Sequence, residues 1–187
     1  MDALASLRPC AVDVTVGEWI YTIPELPAAA WLEAVLAEAG GSIFPGLCDV
    51  VTRADVWREI VHGRATPDEI AECERHALEA AAGQRWWKVD RLVRSATLPE
   101  YWPLIHGDLI RHGLDPERIS IGAFYNAVYA LVVSRMNEES QKNKLDFDLD
   151  TPPPGVDAEE AFADAGDDFM AALQADRRLH SGDLPIG

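Results

Sequence analysis

Glu72, Cys73 and His76 sit close together in "EIAECERHALEA", and a carboxylate, a thiol and an imidazole are all donors that a zinc ion takes. On a helix Glu72 and His76 fall one turn apart, with Cys73 three residues before the histidine. A protein-held zinc needs three or four converging ligands, and no Cys-x-x-Cys or His-x-x-x-His pair elsewhere completes the set. A buried free thiol between two solvated side chains is the simpler account. His106, Asp108 and His112 in "IHGDLIRHG" form a second group, an acid-base arrangement by residue type. Six residues separate the two histidines, which turns them to different sides of a helix, and Asp108 suits a solvated position.

Trp86 and Trp87 could stack a flat ligand, but beside Leu92 and Val93 core anchoring is the first explanation of the pair. Lys88, Arg91, Arg94 and Arg111 make a modest basic cluster flanked by Asp90 and Glu100, too mixed for nucleic acid. A solvated helix face is its first explanation, and attraction of the acidic C-terminal stretch its second. No Gly-rich phosphate loop and no nucleophile-elbow pattern occurs. The expectation is therefore no catalytic residue, no cofactor and no metal.

Composition points the same way. The 187 residues hold 32 acidic and 16 basic side chains, a net charge of −16, which disfavours phosphate backbones and anionic membranes. Residues 145 to 187 carry −9 of that charge and residues 1 to 144 carry −7. No apolar run is long enough for a membrane span, no signal peptide is evident, and three widely spaced cysteines, Cys10, Cys48 and Cys73, suit a reducing compartment.

The elements that must position these residues are mostly helical. "AVDVTVGEWIYTI" alternates with period two on both sides of Gly17-Glu18 and reads as a β-hairpin with a Gly-first turn. Pro24 and Pro27 end the second strand and open a helix over 28 to 39, with Trp31, Leu32, Val35 and Leu36 inward. Thr52 is the expected cap of the next helix, which buries Val56, Trp57, Ile60 and Val61. "TPDE" at 66 to 69 is a capping box for a helix to Ala82, closed by Gly83. A helix over 86 to 96 follows. "TLPE" at 97 to 100 repeats the capping pattern before a helix with Trp102, Ile105 and Leu109 on one face. Ser120 caps "IGAFYNAVYALVVSRMN", apolar nearly all round and so central to the domain.

"KLDFDLD" alternates Leu145, Phe147 and Leu149 with aspartates and reads as a third strand, over 145 to 149, docking on the hairpin edge. "TPPPG" then breaks the chain. The expected architecture is a mainly α (α+β) domain over 1 to 151, a hairpin packed on about six helices, with an acidic arm over 152 to 187 that holds one weak helix near 158 to 179.

"VTVGEWIYTIPELPAAAWLEAVL", "AAAGQRWWKVDRLV", "YWPLIHGDLIRHGLDPERISIGAFYNAVYALVV" and "LDFDLDTPPPG" occur in an order that resembles the tail assembly chaperones of long-tailed phages infecting actinobacteria. The resemblance spans residues 14 to 155 and rests on apolar and turn residues, with no catalytic signature. It implies a non-catalytic protein of the host bacterial cytoplasm that coats the tape measure protein before tail tube polymerisation and is absent from the mature virion. It also implies a frameshifted longer form as a partner, and homo-oligomers are compatible with it. Trp19, Tyr21, Trp86 and Trp102, aromatics beyond the needs of the core, are the expected client contacts. Two other classes stay open: an acidic inhibitor or DNA mimic acting on a host nuclease or regulator, and a small hydrolase or metal enzyme built on His106 or His76. A rigid array of exposed carboxylates would favour the mimic, and a bound zinc or phosphate-sized ligand the enzyme.

Overall fold

The computed structural model describes residues 8–37 and 47–156. The N-terminal strands β1 (Val12–Val16) and β2 (Trp19–Ile23) pair antiparallel, with Val12 opposite Ile23 and Val16 opposite Trp19. That register leaves Gly17 and Glu18 as a two-residue turn, and Gly17 takes the positive φ, 61°, expected of it. Val12, Val14 and Val16 are all buried, so β1 spends its apolar face on the core, while Trp19 and Ile20 of β2 stay exposed.

Seven helices follow among the described residues: α1 (Ala28–Leu36), α2 (Val50–Val61), α3 (Pro67–Ala82), α4 (Trp86–Ala96), α5 (Trp102–Arg111), α6 (Ile121–Ser134) and α7 (Glu139–Asp150). The molecule is thus mainly α with a small sheet, as its patterning implied. β1 lies against α3, and α6 packs on α1, α3, α4 and α5, so the most apolar helix is the hub. Its Phe124 and Val128 are fully buried. α1 has no side-chain cap. Its first amides instead donate to the turn before α6, Ala28 N–H to the Ile119 carbonyl at 2.8 Å and Ala29 N–H to that of Pro116 at 3.0 Å.

Caps decide the other helix starts. Thr66 Oγ1 accepts from Glu69 N–H at 3.2 Å while the Glu69 carboxylate takes Thr66 N–H at 2.7 Å, the reciprocal box that "TPDE" implies. Gly83 then closes α3 in the left-handed region at φ 65°. Ser120 caps α6 through Ala123 N–H at 3.1 Å.

Four expectations are corrected. The cap of α2 is Asp49, not Thr52, because its ionised carboxylate accepts from both Val51 and Thr52 N–H at 2.8 and 2.9 Å. On that helix Trp57 and Val61 face outward, 47% and 78% exposed, and Glu59 is buried in their stead. Thr97 does not open α5: its hydroxyl donates to the Val93 carbonyl at 2.7 Å and closes α4, leaving residues 97–101 as a turn.

The largest change is at 145 to 149, which is helix and not a third strand. Leu145 and Leu149 are four apart, so one helical face sends both inward and turns Phe147 out, 70% exposed. Lys142 Nζ donates to Asp146 Oδ2 at 2.5 Å across the same turn, and Tyr129 of α6 donates its hydroxyl to Asp146 Oδ1 at 2.6 Å. Such i,i+4 pairing needs a helix. Backbone contacts divide the chain into two units, Met1–Leu149 and Asp150–Gly187. Most of the acidic arm, with the weak helix expected near 158 to 179, lies outside the described residues.

Candidate functional site

Four helices leave a cleft of about 440 Å³ between them. α4 gives Leu92 and Ala96 to its floor, α5 gives Ile105, and α7 gives Leu149; all four are buried. Val132 of α6 and Leu145 of α7 form half-buried walls. At the mouth the apolar surface runs outward over Tyr101 and Leu104, 52% and 62% exposed. Burying those two would remove a large apolar area from water, at about 25 cal/mol per Å².

The polar rim comes from Arg91, Ser95, Arg135 and Asp148. Arg91 Nη1 donates to the Asp148 backbone carbonyl at 2.5 Å, tying α4 to α7 along one edge. At the α5–α6 edge Asp108 takes two guanidinium partners, Arg111 Nη1 on Oδ1 at 2.6 Å and Arg135 Nη2 on Oδ2. Asp146, behind the α7 wall, is held below the usual carboxylate range, first by the Lys142 hydrogen bond and then by that of Tyr129.

The residues singled out for chemistry are not brought together. Glu72 and His76 meet on the outer face of α3 at 3.2 Å, while Cys73 turns inward and donates its thiol to the Thr15 carbonyl at 2.8 Å. Burial pushes the Cys73 thiol up, and that of Cys48 to about 11. Among the described residues no three His, Cys, Asp or Glu side chains gather in a way that could hold a metal ion. His106 stacks on Trp102, centroids 5.1 Å apart, and His112 bonds through Nδ1 to the Asp108 backbone carbonyl at 2.7 Å.

The basic cluster is engaged within the folded body. Arg94 bonds Asp90 and the Val35 carbonyl, each at 2.8 Å, and Arg111 bonds Asp108.

No known family, characterised protein or solved structure matches this chain. Among the described residues no helix is long and apolar enough to cross a membrane.

The four aromatics expected as client contacts are scattered in burial. Trp19 is exposed and Tyr21 half-buried on β2. Trp86 is half-buried under the Arg75 guanidinium, 5.1 Å from the ring centroid. Trp102 is half-buried between His106 and Phe124. None of the four lines the cleft. Tyr101 and Leu104, outside the expected contacts, do line it, as does Leu145, whose alternation with aspartates suggested a strand. The local sign in the sequence is that Leu104 is an apolar residue of α5 off the stripe of Trp102, Ile105 and Leu109.

Proposed function

We propose that this chain is a phage tail assembly chaperone that holds an amphipathic helix of the tape measure protein in the α4–α7 cleft, in the host cytoplasm, until tail tube subunits replace it. One observation carries the proposal: an apolar floor that continues onto the exposed Tyr101 and Leu104. A helix laid across the mouth covers those two residues, whereas a small molecule confined to the floor leaves them wet. The charge of −16 supports the same role, since it keeps a protein with exposed apolar surface soluble.

A DNA mimic is less well supported. Several carboxylates on the folded body meet a cation one turn away, as in Asp55 with Arg58, Glu72 with Arg75, Asp115 with Arg118 and Asp146 with Lys142. That pairing interrupts the regular phosphate-like array a mimic needs.

Co-expression with the tape measure protein of the same genome is the test. The client should become soluble and copurify with the wild type, and Leu104→Asp should lose it while keeping the wild-type melting temperature. Unchanged client solubility with no complex ends the proposal.

A further inference from the structure

We infer that the cleft is built for a helix that carries a carboxylate beside its apolar stripe, and that Arg111 and Arg135 bind this carboxylate. The inference deepens the docking role proposed above and concerns the chemistry of the occupant.

Asp108 is shared. It accepts one N–H from Arg111 and one from Arg135, so neither guanidinium spends its two-pronged face on it. A guanidinium presents five donors in a planar fork that fits a carboxylate two bonds at a time. Two guanidinium charges share this one carboxylate in a molecule of net charge −16. The helix C-termini that bear these arginines offset part of the surplus, but they leave the donors open. Arg111 and Arg135 have side chains 74% and 44% exposed, against 18% for Asp108, so the donors face solvent and the acceptor does not. Arg135 also lines the cleft, which places this edge beside Leu104 and the apolar floor.

An occupant with apolar residues in the cleft and a Glu or Asp on the flank facing α5 and α6 satisfies both features. A Lys there meets two like charges. The chain's overall negative charge repels an acidic partner at long range, but at physiological salt charges are screened beyond about 8 Å, and the local edge decides.

The experiment uses the full chain and three synthetic amphipathic helices with one leucine stripe, whose flanks carry Glu, Gln or Lys, with affinities measured by calorimetry. The Glu peptide should bind about threefold tighter than the Gln peptide, the worth of a partly exposed ion pair, and the Lys peptide weakest. Arg111→Gln and Arg135→Gln should each shrink the Glu preference. Asp108→Asn, which frees both forks, should enlarge it, a gain that general damage to the fold does not produce. Leu104→Asp should weaken all three peptides.

Equal affinities for Glu and Gln peptides, unmoved by the arginine variants, overturn the inference. So does a dimer in sedimentation that Leu104→Asp dissolves, which assigns the cleft to a second copy of this chain. Capture of the tape measure protein without any flank preference sinks this inference alone; a clear Glu preference without client binding sinks the chaperone role alone.

Discussion

At Gly122 α6 comes close to the backbone of α3. A Cβ built there would lie 2.6 Å from the Ala82 carbonyl oxygen at the end of α3, and backbone atoms at a helix end cannot swing aside as a side chain does. Gly122→Ala should therefore destabilise by about 1–3 kcal/mol in urea unfolding, although alanine is the better helix former. Gly107 within α5 is the control, since nothing lies within 4 Å of its added Cβ; Gly107→Ala should stabilise by about 0.5–1 kcal/mol. Equal effects at both glycines would mean that α6 does not approach α3 so closely. Glu59 shows a different dependence. Arg64 holds its carboxylate with Nε and Nη2, both at 2.7 Å, and these hydrogen bonds keep its pKa below the ordinary value. A depressed folded pKa stabilises the fold above the unfolded value, near 4, and that contribution is lost as pH falls through the folded one. The melting temperature should drop as pH falls below about 4, and more shallowly in Glu59→Gln, whose side chain does not titrate. Parallel acid limbs in the two proteins would count against the pairing.

At the scale of elements, α7 separates two periodicities written in the same residues. As a strand, 145, 147 and 149 share a face; as a helix, only 145 and 149 do. Leu149→Ala should cost about 2–4 kcal/mol and Phe147→Ala less than about 0.5 kcal/mol in urea unfolding. Comparable losses at both positions would restore the strand. Period-two patterning over seven residues is ambiguous by itself, and the deciding signal lay further out, in the Lys142–Asp146 spacing and in Tyr129 of another helix. The same distinction runs through the rest of the fold. α3 and α6 were legible because their caps, Thr66 with Glu69 and Ser120, are local and have no rival acceptor. Thr97 and Thr52 misled because a hydroxyl bonds whatever lies nearest, a carbonyl of the preceding turn in one case and the Asp49 carboxylate in the other. Trp57 and Val61 share the apolar stripe of Val56 and Ile60 by spacing, but the face α2 buries is narrower than that stripe. The cleft was not legible, since its walls come from α4, α5, α6 and α7 and no local pattern records their juxtaposition.

For the molecule as a whole, charge sets the response to salt. Individual ion pairs on the surface, such as Arg58 with Asp55 and Arg118 with Asp115, are exposed and contribute little, so screening them costs little. The sixteen uncompensated negative charges, nine of them net on residues 145 to 187, repel one another, and screening relieves that repulsion. The second effect outweighs the first because 32 acidic side chains face only 16 basic ones. Raising NaCl from about 20 mM to about 0.5 M shortens the screening length several-fold and should raise the melting temperature by a few degrees. Sodium chloride is the better choice than sulfate, which stabilises by exclusion from apolar surface as well. A melting temperature that falls with NaCl would mean that the ion pairs, Asp108 with its two arginines among them, outweigh the net charge. In that case binding of an acidic helix should be the most salt-sensitive property of the molecule. If repulsion dominates, the same salt series weakens the local Arg111–Arg135 attraction while relieving long-range repulsion of an acidic partner, so affinity for the Glu-flanked helix should change less than twofold across it.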